Sequence, residues 1–128
     1  LDLKTGMLNW KHKINSTLTP TLVDNLIFSI TMEGFLVVID IREGNIIRIT
    51  DIFRQFKKKE RSKIKPVGFV LGSKNIYLTT DHGRLMIIDV TSGKTISMLK
   101  IDNDKISRPF VLNQNLYIIK DNSIIKLN

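Results

Sequence analysis

The chain has 128 residues, 42% of them hydrophobic and 25% charged, with a formal net charge of +8 and no cysteine. That is enough chain for one core and too apolar for a disordered segment, and the missing cysteines exclude disulfides and thiolate metal sites in this stretch. No apolar run approaches the ~20 residues that cross a bilayer as a helix, so no transmembrane segment is expected.

The chain opens with Leu1-Asp2-Leu3-Lys4-Thr5-Gly6-Met7-Leu8-Asn9-Trp10. Lys4-Thr5-Gly6 suits a tight turn, and Met7 to Ile14 reads as a strand carrying the single Trp. A polar stretch, Asn15 to Thr19, leads to Pro20. Four short pieces follow: a strand from Pro20 to Val23, a turn at Asp24-Asn25, a strand from Leu26 to Met32, and a turn at Glu33-Gly34. Phe35 to Ile41 is almost continuously apolar, as expected of a strand buried on both faces, and Ile46 to Thr50 makes a fourth strand. Four strands joined by short polar turns predict an antiparallel meander.

The order then repeats. Strands are expected over Pro66 to Leu71, Asn75 to Thr80, Arg84 to Val90 and Thr95 to Ile101. A last set follows over Pro109 to Leu112, Asn115 to Lys120 and Ser123 to Leu127. All three prolines, Pro20, Pro66 and Pro109, open a set, a strand position that needs no ladder N–H. After each comes an Asn read as a turn residue (Asn25, Asn75, Asn115) and then an aromatic, Phe28, Tyr77 or Tyr117. The phrase Gly34-Phe35-Leu36-Val37-Val38-Ile39-Asp40 returns as Gly83-Arg84-Leu85-Met86-Ile87-Ile88-Asp89. Its closing acid or amide recurs at Asp2, Asp40, Asp89 and Asn128, which lie 38, 49 and 39 residues apart.

Four-stranded units at a period of roughly 40–50 residues are blades of a β-propeller. The fold class expected is therefore all-β, a β-propeller fragment of four-stranded antiparallel blades forming a single incomplete domain over residues 1–128. Residues 1–14 end one blade, 20–51 and 66–101 are complete blades, 108–128 a partial last blade, and 52–65 a basic insertion between blades. Propellers close with at least about four blades, so this stretch does not close alone. With no initiator Met and a start in mid-repeat, it reads as a piece of a longer protein, and missing targeting signals carry no weight.

Asp2-Leu3-Lys4-Thr5-Gly6-Met7-Leu8-Asn9-Trp10 resembles the quinoprotein-type propeller repeat, Asp-x-x-Thr-Gly-x-x-x-Trp. Gly83 to Gly93 fits it with Ser92 in place of Thr; Glu43 replaces Thr in the second copy, and Arg48 and Ser97 stand where Trp is usual. In that family the Trp packs between blades, so the resemblance implies that these blades dock by aliphatic contacts instead. The family includes quinone-cofactor dehydrogenases of the periplasm and a non-catalytic branch typified by the BamB-like lipoprotein of outer-membrane β-barrel assembly. The small, even turns and the closing Ile-Ile-Lys-Leu-Asn strand look like the C-terminal part of the second kind. The resemblance then implies a periplasmic scaffold at the inner face of the outer membrane, binding a protein partner such as a barrel-assembly component, without catalysis and without a cofactor. The alternative it implies is a fragment of a PQQ-dependent dehydrogenase, which would need adjacent cysteines and calcium-ligating acids absent from this stretch.

The local feature peculiar to this chain is the insertion, which stretches one period to 49. Arg54, Lys57, Lys58, Lys59, Arg61, Lys63 and Lys65 stand there against Glu60 alone, so residues 52–65 hold +6 of the net charge. These seven are the candidate partner-binding residues, for an acidic protein face or lipid headgroups. Nucleic acid is disfavoured because no stacking aromatics lie among the lysines. Asp51 is placed to cap a short helix whose apolar side is Ile52, Phe53 and Phe56, and the plain alternative to a binding site is a solvated inter-blade loop anchored by Phe53 and Phe56. For His82, beside Asp81 in a turn, and for His12, the spacing along the sequence suggests no set of convergent ligands such as a metal or catalytic site needs, and a turn histidine is expected. Asp2, Asp40 and Asp89 recur at one point of each repeat, which makes them turn formers accepting backbone N–H bonds.

Overall fold

The computed structural model describes residues 12, 14–16 and 18–127. The first copy of the phrase with its turn and Trp10, most of the strand expected from Met7, and Asn128 lie outside the described residues. The described chain forms three antiparallel sheets. In the first, β1 (Thr21–Val23), β2 (Leu26–Ile30), β3 (Phe35–Asp40) and β4 (Ile46–Asp51) lie side by side in chain order. A one-turn helix, α1 (Lys58–Arg61), precedes the second sheet of β5 (Pro66–Leu71), β6 (Asn75–Thr80), β7 (Arg84–Asp89) and β8 (Thr95–Lys100). The third holds β9 (Phe110–Leu112), β10 (Asn115–Lys120) and β11 (Ser123–Leu127). The meanders read from the sequence are thus present: β5, β6, β10 and β11 have the expected bounds, β2, β3, β7 and β8 end a residue or two early, β1 and β9 start one residue after their prolines, and β4 runs one residue longer. Asn75 and Asn115 open β6 and β10 as strand residues, and only Asn25 stays in a turn. The reason is the turn chemistry, since Asn113 and Gln114 both take positive φ (51° and 65°) and complete a two-residue reversal before Asn115.

Register explains why the middle strands are apolar throughout. Phe28 pairs with Val38 and Ile30 with Leu36, so these four share one face of the first sheet, while Val37 and Ile39 take the other. In β7, Met86 and Ile88 share a face with Leu78 and Ile76, and Leu85 lies on the opposite side with Thr79. All of these are buried, so both faces of β3 and of β7 are withdrawn from water. One continuous cluster joins Phe28, Ile30, Leu36 and Val38 of the first sheet to Phe69, Ile76, Leu78, Met86 and Ile88 of the second. On the far side of the second sheet, Leu85 is buried, as are Ile106 and Ile118 toward the third. The first strands of the second and third sheets touch at β5 and β9.

The insertion closes the first cluster from one end. Ile52 and Phe53 are fully buried, Ile64 is 9% exposed, and Phe56 meets Phe53 edge-on at 5.4 Å between ring centroids. Phe53 lies over Gly34, where φ is +94° and a Cβ would stand 2.2 Å from the ring. Only glycine meets both demands at that hairpin. Phe53→Ala is expected to cost about 3–5 kcal/mol, read as a shift in urea midpoint, because it removes a fully buried aromatic ring from the cluster. Lys58→Ala, on the exposed side of the same insertion, is expected to stay within about 0.5 kcal/mol.

Candidate functional site

The insertion turns its two sides to different tasks. Asp51 does not cap the helix; its Oδ1 accepts the Phe53 N–H at 3.1 Å, stabilising a turn that drives Ile52 and Phe53 inward. The helix itself starts later, after Lys57, with no side-chain cap, and buries no residue. The correction has a simple cause: the apolar residues at 52, 53 and 56 are used by the turn, leaving a polar stretch for the helix. Arg61 faces inward. Its Nη1 donates to Asp51 Oδ2 at 2.6 Å, its Nη2 donates to the Glu33 carbonyl at 3.1 Å, and its guanidinium lies 5.2 Å from the centre of the Phe35 ring. It clamps the insertion to the first sheet. Arg54, Lys57, Lys58, Lys59, Lys63 and Lys65 remain exposed. Glu33 lies nearby and its carboxyl is held below its ordinary pKa, first by the Asn15 amide that donates to it at 2.7 Å and further by the charge of Lys65.

Beside this basic arm runs a groove of about 490 Å³ between the end of β4 and the start of β8. Thr50, Arg54 and Gln55 line one side, and Lys94, Ser97 and Met98 the other. Among the described residues β8 is an edge strand, paired only with β7.

The recurring carboxylates are turn residues. Asp40 Oδ1 accepts the Arg42 N–H at 2.9 Å and Asp89 Oδ1 accepts the Ser92 N–H at 2.8 Å. Four residues on from each, Gly44 and Gly93 donate their N–H to the same Asp carbonyl, both at 2.7–2.8 Å and both at φ near +75°. The carboxyl pKa of each Asp is lowered, chiefly by the N–H of Arg42 for Asp40 and of Ser92 for Asp89. Asp81 Oδ1 is likewise engaged, by the Lys65 N–H at 2.9 Å and by His82 Nδ1 at 2.8 Å. Among the described residues no three His, Cys, Asp or Glu side chains gather as metal ligands. No helix among them is long and apolar enough to cross a membrane.

The contact that sequence reasoning missed is Arg48. Aliphatic docking was expected where the repeat has Trp, but at position 48 the docking is polar. Arg48 Nη2 donates to the Val90 carbonyl at 2.7 Å and Nη1 to that of Thr91, tying β4 of the first sheet to the turn after β7 of the second. Two residues along, Thr50 packs against Gly93, where a Cβ would meet Thr50 Oγ1 at 2.7 Å. The fork of the guanidinium suits two adjacent carbonyls, and the aliphatic contacts lie deeper, in the shared cluster. The same relation holds one repeat earlier, where His12 Nε2 donates to the Gly44 carbonyl. The available signal was the spacing: His12 and Thr50 sit ten residues after Asp2 and Asp40.

No family model matches the chain, and no curated protein matches it. Among solved structures, BamB from Moraxella catarrhalis is similar over 98% of this chain and 35% of its own, with TM-score 0.74 and 17% identity. Quinohemoprotein alcohol dehydrogenase ADHIIG from Pseudomonas putida HK5 is similar over 85% of this chain and 17% of its own, with TM-score 0.63 and 21% identity. The β-propeller domain of Cps50 (Swd1) from Myceliophteria thermophila is similar over 73% of this chain and 31% of its own, with TM-score 0.60 and 20% identity. The chain spans about a third or less of each of these proteins. At these identities the likeness establishes the fold: a β-propeller fragment like the BamB and quinoprotein dehydrogenase propellers.

Arg48→Lys keeps the charge and loses the fork, so it is expected to recover less than half of the roughly 1–2 kcal/mol that Arg48→Ala costs in denaturant titration. Asp89→Ala is expected to lower the melting temperature at pH 7. Because the folded-state pKa of Asp89 is depressed, its contribution is complete above the ordinary value of 3.8 and fades as pH falls below it. The gap between Asp89→Ala and the parent protein, followed by melting from pH 7 to pH 2.5, therefore narrows below pH 3.8.

Proposed function

We propose that the chain is part of a non-catalytic β-propeller scaffold that holds protein partners through its loops and blade edges. The observation that carries this reading is how the repeat uses its own chemistry. Asp40, Asp89 and Asp81, the acids that recur or sit beside a histidine, each have a carboxylate oxygen taken up by a backbone N–H, in the following turn for Asp40 and Asp89 and from Lys65 for Asp81. Their carboxylates serve the backbone, which supports surface recognition as the mechanism. The repeat's resemblance to the BamB-like branch, together with the likeness to BamB over nearly the whole chain, supports a finer reading. In it the scaffold works in the periplasm at the inner face of the outer membrane, and its partner is a component of the β-barrel assembly machinery.

A second reading is kept because a quinohemoprotein alcohol dehydrogenase is also similar in fold. It makes the chain a fragment of a quinone-dependent enzyme. The described residues supply no cluster of acids for the quinone's calcium, and no step through that group is assigned to them.

The two readings separate in one pair of experiments. Photo-crosslinking from the exposed loops in cell envelopes is expected to capture a barrel-assembly component. Titration of the purified protein with pyrroloquinoline quinone and calcium is expected to leave the quinone absorbance unchanged. Saturable quinone binding with no crosslinked partner would overturn the scaffold reading in favour of the enzyme.

A further inference from the structure

The basic arm and the groove beside it are adjoining surfaces. Arg54 and Gln55 belong to the insertion and also line the groove, so the run Lys57-Lys58-Lys59 begins two residues beyond the groove wall. Lys94 sets a cation on the opposite wall. The one carboxylate in the groove, that of Asp51, is engaged by Arg61 at 2.6 Å, which leaves the site's positive charge unopposed there. Met98 adds an apolar floor, and β8 offers an edge paired on one side only. The apolar residues of the insertion point away from solvent: Ile52 and Phe53 are fully buried and Phe56 packs on Phe53. The insertion itself presents no exposed apolar side chain to enter an acyl boundary, and the exposed apolar residues beside it, Ile96, Met98 and Leu99, sit on the edge strand β8, where an extended peptide would run.

We propose that the groove between residues 50–55 and 93–98 takes an extended acidic peptide segment of a partner protein, its carboxylates reading Arg54, Lys94 and the Lys57–Lys59 run. The segment lies along the open edge of β8, where main-chain bonding and side-chain pockets combine in the manner of strand addition. Screened surface cations give the on-rate and the charge selection, and the groove with Met98 gives the register. The inference rests on the interaction-scaffold reading and narrows its partner to one with an exposed acidic, extended segment.

The test uses the purified protein and a fluorescent ten-residue peptide alternating Glu with small apolar residues, with a Lys-for-Glu peptide as control. Vesicles of phosphatidylglycerol serve as the lipid arm. The acidic peptide is expected to bind with an affinity that falls as salt rises, and the Lys peptide is not. Lys57→Glu, Lys58→Glu and Lys59→Glu combined are expected to weaken binding at least about tenfold, from three exposed charges each reversed. Met98→Glu alone, at the groove floor, is expected to weaken it comparably, with melting curves of both variants close to the parent. Peptide binding indifferent to Met98→Glu, or no peptide binding alongside vesicle binding that only the triple variant loses, overturns the groove. A barrel-assembly partner captured equally well by both variants would also overturn the groove while leaving the scaffold reading intact. Peptide binding as expected, with quinone binding and no partner, would sink the scaffold reading and keep the groove.

Discussion

Burial of both faces of the middle strands is the constraint on which this structure depends. A lone antiparallel sheet has a wet face, and β3 and β7 have none. Leu36 and Val38 must be covered by one neighbour and Val37 and Ile39 by another, so each sheet requires a sheet on either side. The chain meets that demand by repeating itself. The face of the first sheet carrying Phe28, Ile30, Leu36 and Val38 meets the face of the second carrying Ile76, Leu78, Met86 and Ile88. These two sets sit at alternate registers of the same repeat, which lets identical units stack with one orientation. A propeller follows from such stacking once the sheets twist and converge at their first strands, as β5 and β9 do.

The turns serve that stacking. Asp40 and Asp89 fix a five-residue turn whose glycine, Gly44 or Gly93, comes close to the preceding unit. The side chain that reaches across, Thr50 to Gly93 or His12 to Gly44, does so from the unit before. Conserving the shape of one turn therefore positions the next interface. This is why acids at fixed spacing, which in a sequence look like candidate chemistry, are consumed by folding.

Much of this was legible in the sequence because it is local. Period-two burial, prolines at strand starts and Gly or Asp at reversals are written in adjacent residues, and Pro66 to Leu71 or Asn75 to Thr80 can be bounded to the residue. What was not legible depends on contacts far apart in the chain. Arg48 reads as a surface cation until the carbonyls of Val90 and Thr91, more than forty residues on, are brought to its fork. Arg61 reads as one of seven equivalent cations until Asp51, Glu33 and Phe35 surround it. The helix in the insertion was misplaced because helical spacing at 52, 53 and 56 is equally satisfied by a turn that buries Ile52 and Phe53 and packs Phe56 against them. For the basic arm, the sequence supplies the charge, and only the fold sets Lys94 and Met98 across from it.

The central claim is that the first two sheets are one cooperative unit, joined by a shared apolar cluster and by Arg48, with the insertion as its lid. Hydrogen exchange followed by mass spectrometry tests this most directly, by comparing the opening free energies of amides in β3 and β7 in low denaturant. The account predicts that both segments open together, with one denaturant dependence, and that residues 52–53 lose protection with them while Lys57 to Glu60 exchange freely. Opening of β3 at a distinctly lower free energy than β7, with its own denaturant slope, would contradict it.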